Sequence, residues 1–328
     1  MNKKIIAIAV AAAFTAPVAM ADVKMSGRVN AQYGIVSVDG AATDPQGRLD
    51  DSGQGRFQID AKSGKAYARW AIDTRYGRDR NGASSDFGRT NRDSYVGYKF
   101  DGFSLQFGRM GGAGKNIEKD PYIATFLQIR NNQATEAATG AKFGSSSFVD
   151  DVIQLSTKVG GAKVKVQMNI DDTSGSTSST NEGHVAASIV GKAGAVKYWA
   201  AYNNGSADGA AGATPANDDS NIKVGASMKF GKITGALNYT TADNDGVSNE
   251  VMVIMASMGM GNGLTGDAAI ALASGDAGAS ADATTFRIAV RKKVSKGVTA
   301  YAGYASTDYD DAGPADRSVL GAGMTVKF

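Results

Sequence analysis

Arg317-Ser-Val-Leu-Gly-Ala-Gly-Met-Thr-Val-Lys-Phe328 closes the chain. Leu320, Ala322, Met324, Val326 and Phe328 fall on one face of this stretch, and Val319, Gly321, Gly323, Thr325 and Lys327 on the other. A period of two ending on an aromatic is a β-strand whose amides and carbonyls need a partner along their whole length. The simplest partner is a strand near the start of the same chain. There Val23, Met25, Gly27, Val29, Ala31, Tyr33 and Ile35 alternate with Lys24, Ser26, Arg28, Asn30 and Gln32. In hydrocarbon each unpaired backbone group costs several kcal/mol, so a sheet built of such strands must close on itself.

The same alternation recurs between the ends. Ile222, Val224, Ala226, Met228 and Phe230 oppose Lys223, Gly225, Ser227 and Lys229. Val196, Tyr198, Ala200 and Tyr202 oppose Lys197, Trp199, Ala201 and Asn203, and Val164, Val166, Met168 and Ile170 oppose Lys163, Lys165, Gln167 and Asn169. One face of each segment suits lipid and the other water. Short Gly-, Asn- or Asp-bearing connections stand at 62–65, 100–103, 159–161, 191–194, 230–232, 260–263 and 294–297. Longer polar ones lie near 39–53, 78–90, 110–147, 171–182, 204–220, 242–249, 275–282 and 308–316. Seven short and eight long connections imply sixteen strands in an antiparallel transmembrane β-barrel, all-β, with short periplasmic turns and long external loops. A soluble sandwich would need a second layer over its apolar faces, and no segment supplies one.

Lys3-Lys4, the apolar run Ile5 to Phe14 and the small residues Ala19-Met20-Ala21 have the form of a cleaved signal peptide, residues 1–21, leaving 22–328 as a single barrel domain. A spanning helix over Ile5 to Val18 is the alternative, and the stretch is short for it. The whole chain has 42 glycines, five prolines and no cysteine, with a mean hydropathy of -0.22. No disulfide framework or apolar helical bundle fits that composition. Without residues 1–21 there are 33 basic against 32 acidic residues, so net charge points to no nucleic-acid partner.

These features resemble the general diffusion porins of Gram-negative bacteria, the sixteen-stranded outer-membrane kind. The resemblance rests on the leader, on Asp22-Val-Lys-Met-Ser-Gly-Arg-Val-Asn-Ala-Gln-Tyr-Gly34, on Arg92-Asp-Ser-Tyr-Val-Gly-Tyr98 with Phe103-Ser-Leu-Gln-Phe-Gly-Arg109, and on Phe328. It covers the mature chain, and it departs from the family pattern at Phe143-Gly-Ser-Ser-Ser-Phe148, where members usually carry an Arg-x-x-Asn-type motif. It implies a trimeric, water-filled channel in the cell outer membrane for passive diffusion of small hydrophilic solutes and ions. Its partners would be outer-membrane lipid and lipopolysaccharide, and the barrel-assembly machinery, with Phe328 as the assembly signal. The third external loop would fold into the lumen. The longest connection, 110–147, is the third long one, and it carries Ile117, Tyr122, Ile123, Phe126, Leu127 and Ile129, more large apolar side chains than a solvated loop holds. Packing of that loop on itself or on a neighbouring subunit is the other reading.

The constriction expected from these assignments sets an arginine-bearing wall against an acidic loop. Arg28, Arg56, Arg69, Asp73 and Arg75 face inward by parity; Arg92 and Arg109 do so only if a bulge intervenes; Glu118 and Asp120 belong to the loop. Such charges set up a transverse field across a narrow aqueous pore. Simple ion pairs holding the loop in place are the plainer reading. Lys163, Lys165, Lys229 and Lys232 lie beside short turns and belong to the periplasmic rim.

Little in the chain suits catalysis or a cofactor. His184 is the only histidine, and no Walker-type loop or His-Glu-x-x-His is present. Asp171-Asp172, Asp218-Asp219 and Asp308 to Asp311 could hold Ca²⁺ in the loops, solvated charge being the commoner outcome. Tyr33, Tyr76, Tyr98, Tyr198, Tyr202, Tyr239, Tyr304 and Phe328 suit interfacial girdles. The stretch 250–259 is apolar on both faces, which suggests that its inward methionines meet the inserted loop. A substrate-selective channel is the alternative function, and a non-transporting adhesin or enzyme barrel the more distant one.

Overall fold

The computed structural model describes residues 22–40, 46–48, 54–75, 88–115, 117–122, 125–129, 148–169, 185–207, 217–244, 247–275, 282–310 and 315–328. Seventeen strand segments follow one another: β1 (Asp22–Val38), β2 (Gln46–Arg48), β3 (Gln54–Ser63), β4 (Ala66–Arg75), β5 (Gly88–Lys99), β6 (Phe103–Gly111), β7 (Phe148–Val159), β8 (Ala162–Asn169), β9 (Val185–Ala193), β10 (Val196–Ala207), β11 (Asn217–Phe230), β12 (Ile233–Asn244), β13 (Val247–Gly261), β14 (Leu264–Gly275), β15 (Ala283–Ser295), β16 (Val298–Tyr309) and β17 (Arg317–Lys327). β2 and β3 both pair with β1, at Gly34–Val36 and Asp22–Val29, so they occupy one position and the wall has sixteen. Each position pairs antiparallel with its sequence neighbour, as two-residue turns require.

Closure comes from the terminal stretch. β17 pairs with β1 from Arg28↔Lys327 to Val38↔Arg317, and Gly27 and Phe328 exchange backbone hydrogen bonds of 2.9 and 3.1 Å. No edge remains along that seam, which is the condition for a sheet in hydrocarbon. Seven turns, including Gly64-Lys65 and Asn262-Gly263, join the strands at one end, where the short connections were expected. One long connection is not found: β12 runs to Asn244 and β13 starts at Val247, so the loop expected over 242–249 is mostly strand.

Alternation sorts the two faces as read from sequence. Ile222, Val224 and Phe230 are exposed on the outer face of β11, whereas Asn221, Lys223 and Ser227 are buried on its inner one. Tyr33, Tyr98, Tyr202, Tyr304 and Phe328 are exposed outward; Tyr76 lies outside the described residues. In β13, Val251, Val253 and Met255 are buried inward, while Ile254 and Met258 are exposed. Only one of its methionines is thus a buried inward residue, and the two apolar faces are real.

Two irregularities lie beside arginines. Between Trp70↔Ser94 and Ile72↔Asn91 β5 advances three residues to two on β4, and between Gly108↔Val152 and Met110↔Val149 β7 gains one on β6. A bulge of this kind inverts the parity beyond it. Arg92 lies past the first, on β5 itself, with a side chain only 16% exposed; the second adds its residue to β7, opposite Arg109, which keeps the parity of β6 and pairs in register with Ser94.

Candidate functional site

Loop three leaves β6 at Gly111 and crosses the lumen. Gln167 on β8 donates to the Gly111 carbonyl at 3.0 Å, and the Lys115 amide closes a turn on the Gly112 carbonyl at 2.9 Å. From there the loop meets β11: Lys223 Nζ stands 3.1 Å from Glu118 Oε2, both side chains being nearly inaccessible. It then reaches β14 and β15. Asp120 accepts from the amides of Tyr122 at 3.0 Å and Ile129 at 3.1 Å, and from Arg287 at 3.1 Å. Arg287 also donates to the Leu127 carbonyl at 2.8 Å and lies 4.7 Å over the Tyr122 ring. Three donors on one carboxylate make burial of that charge tolerable.

The loop's apolar residues explain why it stays there. Ile129 sits in a buried patch with Ala236, Val251, Val253, Met255 and Ala271 of the inner wall. Tyr122 and Leu127 pack with Ala289 and Tyr301, and Phe126 joins them. Tyr122 Oη donates to Asp267 at 2.8 Å, and Asp267 also binds Arg291 at 3.1 Å and Ser257. Burial, and then the Asp267 charge, push the Tyr122 hydroxyl above the usual tyrosine range, so it remains a donor. The Phe126 amide donates to Gln32 on β1 at 3.2 Å, and Tyr301 Oη lies 2.8 Å from Asn30 and from Gln32. On the loop's exposed side burial, then Lys197 and Arg291, lower the Lys119 ammonium.

The arginine wall occupies the arc from β1 to β6. Arg28, Arg56, Arg92 and Arg109 each stand six or seven residues from the short-turn end of their strand, and Lys223 and Arg287 seven and eight. All therefore share one belt with the loop. Arg28 and Arg56 are cross-strand partners. Asp73 accepts from Arg56 at 2.8 Å and from Arg92, while Arg109 pairs with Asp150. Arg92, Arg109 and Lys115 gather on the Phe148 ring at 4.4, 5.8 and 4.2 Å from its centroid. Among the described residues Arg28, Arg56, Arg92 and Lys115 share this level with Asp73 and Asp93, four cations to two carboxylates, while Arg109 is taken up by Asp150.

Two expectations change. Glu118 and Asp120 do not stand across water from the arginines; they are buried against Lys223 and Arg287 and anchor the loop. Arg69 lies three residues from the short-turn end, below the belt, bound to Asp60 at 2.7 Å. Arg75 has a described backbone in β4 but no described side chain, and His184 and Asp171-Asp172 lie outside the described residues. Lys223, Arg287, Asp267 and Tyr301 were not singled out from sequence, although inward parity marks each. Among the described residues no group of three or more acids or histidines is placed to hold a metal ion.

Residues 7–312 match the family model described as Gram-negative porin. No curated protein sequence matches. Among solved structures the chain is similar to an anion-selective porin from Comamonas acidovorans at a TM-score of 0.75 and 18% identity, covering 94% of this chain and 100% of that one. It is similar to OmpF of Salmonella typhi in complex with daunomycin at 0.72 and 15%, covering 93% and 97%. OmpT of Vibrio cholerae in a trimer form gives 0.64 and 14%, covering 94% and 99%. At such identities the structural likeness speaks for the fold alone.

Proposed function

The chain belongs to the Gram-negative porin family, and on that premise we propose that its pore is an anion-preferring aperture between loop three and the arginine wall. Its membership makes it an outer-membrane channel for passive diffusion of small hydrophilic solutes and ions. The finer reading adds that Arg28, Arg56, Arg92 and Lys115 line the passage at its narrowest level. The observation that carries it is the belt's charge: among the described residues Arg28, Arg56, Arg92 and Lys115 stand against Asp73 and Asp93 there, while Glu118 and Asp120 are buried in pairs. A narrow aqueous passage between low-dielectric walls concentrates field lines, so an excess of one sign raises the local concentration of counter-ions. Loop three supplies the size limit, and no bond is made or broken.

Assembly as a homotrimer belongs to the same proposal, with the trimer form of the Vibrio cholerae neighbour as its support. So do a cleaved leader at 1–21 and presentation of the Phe328 strand to the assembly machinery. The test is swelling of liposomes carrying the refolded protein, with glucose, gluconate and glucosamine as solutes of near-equal size. Gluconate is expected to enter fastest and glucosamine slowest. Faster entry of glucosamine would overturn the anion preference and leave the channel itself standing.

A further inference from the structure

Below the belt the lumen opens into a second feature that the constriction does not use. A recess of about 860 Å³ lies between the short-turn ends of β1 and β3 to β8. Lys24, Lys62, Arg69, Lys99, Lys158 and Lys163 line it, against the acids Asp22 and Asp60. Asp60 is held by Arg69 at 2.7 Å and by Gln58 at 2.5 Å and also attracts Lys24, so of the lining acids Asp22 is left to the other four lysines. The floor is aromatic. Tyr67 and Tyr95 meet edge to face, with centroids 6.4 Å apart, and Lys99 and Arg69 lie over them at 5.6 and 5.9 Å. Tyr67 is seated on Gly97, where a Cβ would come within 2.5 Å of the ring. Cations standing on a fixed aromatic floor are pre-positioned, whereas lysines on an open rim are solvated individually.

We propose that this recess is a binding site for a compact polyanion, a small molecule bearing three or more phosphate or carboxylate charges, entered from the periplasmic side. Lysine ammonium groups on flexible stems converge on such a ligand as point charges, and the Arg69 fork adds a directional pair of donors. Six cations drawn from six strands match several charges at once; a monovalent ion meets only one or two and passes. The two levels divide the work. Single anions are selected at the belt, and a polyanion too large for it lodges beneath and impedes flow.

The readout rests on the channel reading, so binding is measured separately as well. Sodium tripolyphosphate serves as the probe, added to one side of a planar bilayer holding oriented wild-type channels, and calorimetry of the detergent-solubilised trimer reports binding without any conduction. Block is expected from the short-turn side at roughly tenfold or more lower concentration than from the loop side, the scale on which charged clefts concentrate ligands. Lys62→Gln with Lys99→Gln is expected to raise the half-blocking concentration about tenfold. Lys229→Gln with Lys293→Gln, on the opposite arc, leaves it near the wild-type value and controls for folding and overall charge. Equal block from both sides, calorimetric binding insensitive to the Lys62/Lys99 pair, or no binding heat at all would each overturn the site. A protein that binds tripolyphosphate with the stated lysine dependence but conducts nothing would keep the site and sink the channel.

Discussion

Arg287 is 1% exposed in its side chain and is paired with an Asp120 that water does not reach. Such a pair contributes little over an apolar alternative, yet removing one partner strands the other's charge, at about 3–5 kcal/mol. Arg287→Ala is therefore expected to lower the temperature at which the folded band converts on a gel. It should also raise single-channel conductance and current noise, as the loop loses its hold on β15. Unchanged conductance and melting would show that the loop is held elsewhere. Tyr122 acts through the same latch. Its hydroxyl titrates above its unfolded value, so the stability it contributes is complete below about pH 10 and is lost only as pH rises through the folded value. Conductance noise should stay flat with pH up to that point, and Tyr122→Phe should shift the noise at every pH. Phe148 has a different part, since three cations share its ring. Each such contact is worth about 0.5–2 kcal/mol, so Phe148→Leu should disperse the cluster and lower the anion-to-cation permeability ratio while Phe148→Tyr keeps it.

At the scale of elements, the seam is the point where one substitution acts on the whole wall. A Cβ on Gly27 would stand 2.5 Å from both the Arg56 carbonyl oxygen and the Phe328 ring. Gly27→Val is thus expected to cost about 1–3 kcal/mol by overpacking and to slow barrel closure, seen as less heat-modifiable protein after refolding. A yield equal to wild type would mean that the ring of Phe328 moves aside freely. This seam was legible in the sequence, because 317–328 and the strand from residue 22 share a clean period of two and a sheet in hydrocarbon must close. The faces of β8, β10 and β11 were legible for the same reason. Arg92 was legible only conditionally: parity places it outward, and the inversion in β5 depends on local backbone geometry that alternation does not encode. The anchors of loop three were not legible. Asp120 and Arg287 are 167 positions apart, and nothing in the period of either segment says which inward cation a loop acid will meet. Glu118 and Asp120 were accordingly assigned to water when they belong to the latch.

On the scale of the molecule, the barrel is a wall whose inner face divides into two arcs at one height. The arc of β11 to β16, with β1 at its margin, binds the loop through an apolar patch and buried pairs. The arc of β1 to β6 keeps a surplus of arginine. Tying Glu118 and Asp120 to the first arc is what leaves the second with its sign, so anchoring and selectivity are consequences of one arrangement. The measurement that tests this most directly is the zero-current potential of the wild-type channel in a planar bilayer under a tenfold KCl gradient. A potential of the sign set by chloride, collapsing toward zero in Arg56→Gln with Arg92→Gln, is the expected result. A potential of the sign set by potassium, or one that those substitutions leave unmoved, would contradict it.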